Sequence, residues 1–211
     1  MKVTKFVHAC LLVESDEATV LFDPGIFTLQ SGLLDVESLK KLDYIVITHE
    51  HVDHFNLPLV AALVKKFPLV TVVTTDFVAN ILKEQGIRNV VTKSIGPIEI
   101  FSKKLHAELK PFGQAPQNIA VHFAGRLTVG GDRHDLEESK EILALTMTGP
   151  WGSMMGAAQM AVDLKSKILL PIHDWHWNDQ AREQAYQTFE SFFSQRGTKF
   201  VKLVDRQAIE L

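Results

Sequence analysis

Four side chains of metal-ligand type fall within six positions in the run His49-Glu50-His51-Val52-Asp53-His54. His49 and His51 are two residues apart. In extended chain such positions share a side, so the two imidazoles can grip one metal ion, while Glu50 points the other way and is not counted as a ligand. Asp53 and His54 follow, and Pro58 starts a helix soon after. The chain must turn here, which lets Asp53 and His54 face a second ion next to the first. Imidazole and carboxylate without thiolate suit Zn, Mn or Fe. The bland alternative is a polar loop that happens to be histidine-rich; four ligand types in six positions at the exit of a buried strand count against it. The helical zinc motif H-E-x-x-H does not apply.

Two ions need more than four ligands. His106 follows the apolar run Ile98 to Leu105, Asp132 follows Leu127-Thr128-Val129-Gly130-Gly131, and His173 follows Ile168-Leu169-Leu170-Pro171-Ile172. Each is a ligand-type side chain directly after a strand. His122, inside the run Ile119 to Phe123, rivals His106. Two glycines before Asp132 let the backbone come close to the site. An aspartate between two ions can bridge them with its two oxygens, and Asp132 is the natural choice.

The elements that must position these residues alternate along the chain. Lys2 to His8, Ala9 to Glu14 and Thr19 to Phe22 read as strands, with a turn at Glu14 to Glu17. Asp35 to Lys41 reads as a short helix. Tyr44 to Thr48 is apolar and β-branched, the type of strand buried on both faces. Leu57 to Phe67 is helical, with proline early where its missing N–H does little harm. Leu69 to Thr74 is strand. Asp76 to Gln85 is helix, capped by Asp76 and stopped by Gly86. Val90 to Thr92, Ile98 to Leu105, Ile119 to Phe123 and Leu127 to Gly130 are strands, the last two joined by a tight turn at Ala124-Gly125-Arg126. Leu136 to Ile142 reads as helix and Leu143 to Met147 as strand. Ser153 to Lys165 is helix, with Met154, Met155 and Met160 as core packing. Lys167 to Ile172 is strand, Asp179 to Gln195 a long helix, and Phe200 to Val204 with Gln207 to Leu211 a final strand pair. This order predicts an α/β fold, two mixed sheets in a sandwich with helices on both outer faces, its reactive groups at the exits of buried strands.

The 211 residues fit one domain with a substantial core, residues 1–211. Hydrophobic residues are 46% and charged residues 22%, the balance of an ordinary globular chain. A net charge of −3 argues against a basic nucleic-acid surface or a polybasic anchor. The single cysteine, Cys10, excludes an intramolecular disulfide and a Cys-rich zinc site; in its apolar run it reads as a buried small hydrophobe. No apolar block suggests a signal peptide or a membrane span, so a cytoplasmic protein is expected.

Thr48-His49-Glu50-His51-Val52-Asp53-His54 resembles the T-H-x-H-x-D-H signature of the metallo-β-lactamase superfamily. Leu21-Phe22-Asp23-Pro24-Gly25 resembles its first motif, a strand ending in an aspartate that braces the metal loop. Gly130-Gly131-Asp132 resembles its G-D motif, and Pro171-Ile172-His173 its closing P-x-H motif. The short length and the Val7-His8-Ala9 start are most similar to the compact branch related to ascorbate-6-phosphate lactonase (UlaG-like proteins). The resemblance implies a four-layer αββα sandwich and two divalent ions, Zn first and Mn or Fe as alternatives. It implies that His49, His51 and His106 hold the first ion, that Asp53, His54 and His173 hold the second, and that Asp132 bridges. The family's aspartate is often followed by Thr, where this chain has Arg133-His134-Asp135.

The expected activity is hydrolysis of an ester, lactone or phosphodiester in a small molecule, phosphorylated or not. Two ions about 3.5–4 Å apart lower the pKa of a shared water toward neutrality, and Asp53 would orient that water and accept its proton. The alternatives are an RNA-processing nuclease, a di-iron oxidoreductase and a non-catalytic metal-binding protein. No clamp domain and no flavodoxin-like domain accompany the ligand set, and its completeness argues against lost activity. Around it, His8 reads as a structural histidine beneath the metal loop or as a residue reaching the site. His134 and His176 read as loop histidines or proton donors, and Trp151, Trp175 and Trp177 as an apolar wall or a core cap. Lys103, Lys104 and Lys110 read as solvated or as phosphate contacts. No stretch reads as a subunit interface, so no oligomeric state is assigned.

Overall fold

The computed structural model describes residues 1–106 and 115–211. The first sheet grows from a hairpin of β1 (Lys2–Val7) and β2 (Cys10–Glu14), to which β3 (Thr19–Phe22) pairs antiparallel. From β3 the sheet continues in parallel through β4 (Tyr44–Val46), β5 (Thr71–Val73) and β6 (Val90–Val91). In the second sheet β7 (Ile98–Leu105), β8 (Gln117–Phe123) and β9 (Leu127–Val129) are antiparallel. It then runs parallel through β10 (Ile142–Thr146), β11 (Ile168–Ile172) and β12 (Lys199–Phe200). The last strand, β13 (Ala208–Glu210), returns to the first sheet and pairs antiparallel with β1.

Strand alternation sorts the side chains into three cores. Val20 and Phe22 of β3 face the second sheet and pack with Ile119, Val121 and Phe123 of β8 and Ile142 and Ala144 of β10. Leu21, between them, faces outward and packs with Ile45, Val72 and the buried faces of α2 (Leu57–Lys66) and α3 (Asp76–Glu84). Leu143 and Leu145 of β10 likewise face outward, onto α4 (Met154–Leu164) and α5 (Asp179–Ser194). Strands buried on both faces between helical layers are the physical meaning of the apolar run Tyr44 to Thr48. The result is the expected four-layer sandwich. No helix among the described residues is long and apolar enough to cross a membrane.

Several helices start where a side-chain cap permits. Asn56 accepts from Leu59 N–H, Ser153 from Gly156 N–H and Asn178 from Ala181 N–H, each satisfying an otherwise orphaned donor. At α3 the capping oxygen belongs to Thr75, not Asp76, which is the first helical residue.

Four other elements depart from the expectations. Residues 26–31 form a short helix, α1 (Ile26–Ser31), after Gly25. Asp35 to Lys41 contains only a 3-10 turn over Val36–Ser38, because the Asp35 carboxylate accepts from Glu37 N–H and closes one turn. Leu136 to Ile142 is not helical. Lys140 N–H is held by Thr128 Oγ1 and Ile142 N–H by Arg126 O, so the segment is drawn out beside β9 before β10 begins; such tertiary bonds override local helix propensity. The final strands do not pair with each other: β12 extends the second sheet while β13 closes the edge of the first. The chain crosses between sheets in the intervening turn, where Arg206 adopts a left-handed φ of 67°.

Candidate metal centre

The loop after β4 is braced from β3. Asp23, fully buried just past β3, accepts Thr48 N–H at 2.7 Å and Thr48 Oγ1–H at 3.0 Å, and its Oδ2 lies 2.9 Å from His54 Nδ1. The turn itself is closed by His54 and Phe55 N–H donating to His51 O. It lies flat against residues 24–26, where Ile26 N–H bonds Val52 O and Asn56 N–H bonds Pro24 O. Gly25 is required at this approach, because a Cβ there would run into the Asp53 carbonyl.

The other ligand candidates come from the second sheet. Ile119 N–H donates to Thr48 O and ties β8 to the metal loop across the sandwich. Beside it, the buried amide of Asn118 donates to Gly130 O at 2.9 Å and accepts Asp132 N–H at 3.1 Å. Gly131 turns between them with φ 61°, and any side chain there would collide with Asn118. Thr146 Oγ1 completes the clamp on Gly131 O at 2.7 Å. His173 follows β11 in a left-handed conformation, φ 61°, with its N–H on His8 O.

These turns bring the seven sequence-proposed residues together as two adjoining groups: His49, His51, His106 and Asp132, and Asp53, His54 and His173, the second joined by His8. The inner faces of three rings follow from their outer bonds. His54 Nδ1 donates to the Asp23 carboxylate, and His173 Nδ1 donates to Thr148 O at 2.6 Å. Thr48 Oγ1 already donates to Asp23, so it accepts from His49 Nδ1 at 3.0 Å. A neutral imidazole with its proton on Nδ1 presents a lone pair at Nε2. Thus His49, His54 and His173 aim lone pairs inward, the arrangement that fixes metal-binding histidines.

Asp132 stands between the groups. Its Oδ1 is 3.1 Å from His54 Nε2 and 3.3 Å from His173 Nε2. Its Oδ2 is 3.1 Å from His106 Nε2 and 3.7 Å from His49 Nε2, and also takes the indole N–H of Trp151 at 3.3 Å. Asp53 Oδ2 lies 3.5 Å from His173 Nε2. Among the described residues, buried His54 Nε2, His173 Nε2 and Asp132 Oδ1 form no hydrogen bond with one another or with any other group. Buried lone pairs converging without donors are costly unless a cation lies among them, so the donor set fits divalent metal.

The charges agree. Burial opposes a proton on His54 and His173, yet the carboxylates outweigh it, Asp132 with Asp23 raising His54 well above its usual value and Asp132 with Asp53 raising His173 to about 9. Burial likewise opposes ionisation of Asp132, but His54 and His173 hold its carboxyl well below the usual range. His49 is lowered by burial and by the charge at His54. Without metal, protons on His54 and His173 offset the two carboxylates, and divalent ions would take their place.

The structure brings His106 to the centre and leaves His122 outside it, stacked on Phe101 with ring centroids 4.0 Å apart and Nδ1 on Thr128 Oγ1. His134 is committed elsewhere: its Nε2–H donates to Thr146 O at 2.8 Å, and its other edge packs against Gly152. Lys103 and Lys104 are committed to Thr92 O and Glu137, and Lys110 lies outside the described residues. Trp151 packs edge-on against His106, Trp175 stacks on Phe27 at 3.8 Å and is about half exposed, and Trp177 joins the core under α4 and α5. Met160 is in that core, whereas Met155 is exposed.

Some positioning residues carry no sequence signal. Asn118 sits in an ordinary strand. Lys5, 2% exposed, reaches from β1 to Asp174 at 2.7 Å and to Pro171 O at 3.4 Å. It brackets the His173 turn on both sides. Asp174 also accepts from Tyr186 Oη.

Residues 3–146 match the family model described as the metallo-beta-lactamase superfamily. A UPF0173 metal-dependent hydrolase from Methanosphaera stadtmanae is 28% identical over 203 residues, covering 82% of this chain and 83% of the relative. Among solved structures, the metallo hydrolase Igni18 from Ignicoccus hospitalis superposes with a TM-score of 0.68 at 18% identity, covering 100% of this chain and 98% of that one. An isothiocyanate hydrolase from Delia radicum gut bacteria superposes with a TM-score of 0.68 at 16% identity, covering 100% and 99%. At these identities the two structures speak for the fold.

Proposed function

The chain belongs to the metallo-beta-lactamase superfamily, and on that premise we propose that it is a metal-dependent hydrolase cleaving an ester, lactone or phosphodiester bond in a small molecule. The observation that carries this reading is Asp132, whose two oxygens face different histidine groups as a bridging carboxylate must. His49, His51 and His106 would hold one ion, and Asp53, His54 and His173 the other. When bound, such ions supply Lewis acidity and bring the pKa of water toward neutrality; Zn is our first choice, with Mn or Fe equally served by these ligands.

The protein's own groups divide the remaining work. The side chain of Asp132 is 2% exposed, that of Asp53 22%. Asp132 is therefore the buried bridge, while Asp53 can reach a water, orient it and take its proton. Trp151, and Trp175 with Phe27 stacked on it, would wall the site with apolar surface and limit bulk water, which strengthens charge stabilisation.

A panel of lactones, carboxylic esters and phosphodiesters, run on the Zn, Mn and Fe forms, tests the reading. Turnover of at least one class, lost in Asp53→Ala, is expected. No turnover by any metal form would contradict it.

A further inference from the structure

We propose that His8 is a positioning residue, the hydrogen-bond donor that sets Asp53 for the second ion, and not a ligand of that ion. The inference rests on the two-ion reading above. By distance alone His8 looks like a ligand: its Nε2 lies 3.1 Å from Asp53 Oδ2, closer than His173 Nε2 at 3.5 Å or His54 Nε2 at 3.8 Å. The difference lies on the far side of each ring.

His54 Nδ1 faces the Asp23 carboxylate and His173 Nδ1 faces the Thr148 carbonyl, both acceptors only. In their neutral, metal-binding form those rings carry their proton on Nδ1 and turn a lone pair inward. His8 Nδ1 instead meets the backbone N–H of Trp175 at 3.4 Å, a donor only. The ring must offer its lone pair there, which places its proton on Nε2, toward Asp53. A protonated Nε2 cannot bind a cation. It can donate to one lone pair of Asp53 Oδ2 and leave the other for the ion, the usual second tie on a ligating carboxylate.

The backbone holds the ring to this task. His8 occupies the tip between β1 and β2 with φ 60°, a left-handed conformation rarely taken by residues with a side chain. Its carbonyl accepts His173 N–H at 3.1 Å, and the two rings pack with centroids 3.9 Å apart. Phe27 covers His8 edge-on at 5.3 Å. The hairpin tip and the exit of β11 thus grip each other through one residue, and Asp53 is set by that joint.

Metal-free wild-type protein, His8→Gln and His8→Leu can be titrated with Co2+, read by its visible absorption, and with Zn2+ against a competing chelator. Glutamine keeps an N–H near the position of Nε2 but no nitrogen lone pair; leucine keeps neither. We expect His8→Leu to lose about 10- to 100-fold in affinity for one of two ions. His8→Gln should stay within about threefold of wild type, less than such a loss, with an unchanged Co2+ spectrum. Equal losses in both variants with an altered spectrum would make His8 a ligand, and no loss in either would make it packing alone; each result overturns the proposal. If His8→Leu does not fold, His8→Gln decides by itself, and a tenfold loss overturns the proposal. Wild-type protein that takes up no ion would overturn the two-ion reading and the role of His8 with it, an outcome distinct from variants that behave alike.

Discussion

His54 Nε2 and Asp132 Oδ1 stand 3.1 Å apart, both buried, and no hydrogen bond joins them. The other nitrogen of His54 is spent on Asp23, so with both atoms unprotonated an acceptor faces an acceptor at the heart of the molecule. A shared cation resolves that conflict, and the opposite oxygen of Asp132 faces His106 Nε2 at 3.1 Å on the other side. Asp132→Ala should therefore weaken both ions together, each by more than about tenfold, since losing even an outer partner of a ligand costs that much. Metal titration of the variant measures it; loss of a single ion would place Asp132 in one site only.

Asn118 clamps the turn that carries Asp132. Replacement by Leu strands Asp132 N–H and Gly130 O without partners. Buried unsatisfied groups cost about 1–3 kcal/mol each, so a stability loss of about 2–4 kcal/mol is expected in urea unfolding. An unchanged midpoint would mean that the clamp is dispensable.

Lys5 and Asp174 form a buried ion pair at the foot of the His173 turn. Burial pushes the Asp174 carboxyl up, but Lys5, Tyr186 and Arg182 outweigh it and hold the value below the usual range. A depressed carboxyl stabilises the fold above its unfolded pKa of about 3.9, and that contribution is lost as pH falls through the lower folded value. Lys5→Met leaves the carboxylate buried with fewer partners, at a cost of about 3–5 kcal/mol near neutral pH. Without Lys5, burial raises the Asp174 carboxyl, so protonation relieves the variant first as pH falls, and the gap from wild type should narrow steadily from neutral pH down toward the depressed wild-type value in denaturant titrations. A gap independent of pH would mean that Lys5 acts by packing alone.

Burial pushes the Cys10 thiol up to about 12. Thiolate is the reactive form, so the native protein should resist thiol reagents at pH 8 and react fully only once unfolded. Rapid labelling of the folded protein would show that the outer face of the first sheet opens readily.

The His49 to His54 run is legible because its ligands are contiguous and follow an apolar strand. Asp132 and His173 are legible for a related reason: glycine or proline and a ligand type mark the strand exit. His106 is favoured over His122 only through the family resemblance, since both lie in or beside strands of one sheet and only the fold shows that His122 stacks on Phe101. Lys5 and Asp174 are 169 residues apart and Lys5 sits in an alternating strand, so nothing local reveals that it is buried. The run from Leu136 has helical composition, and the bond from Lys140 N–H to Thr128 that draws it out is likewise non-local. The final strands read as a pair because they are neighbours in sequence, yet each completes a different sheet.

The most direct test is the metal content of protein purified after expression with added Zn, Mn or Fe. The converging lone pairs of His49, His54 and His173 and the divided carboxylate of Asp132 predict close to two ions per chain for at least one metal, the two-ion arrangement of such centres. Protein that carries no ion under all three conditions would contradict the account.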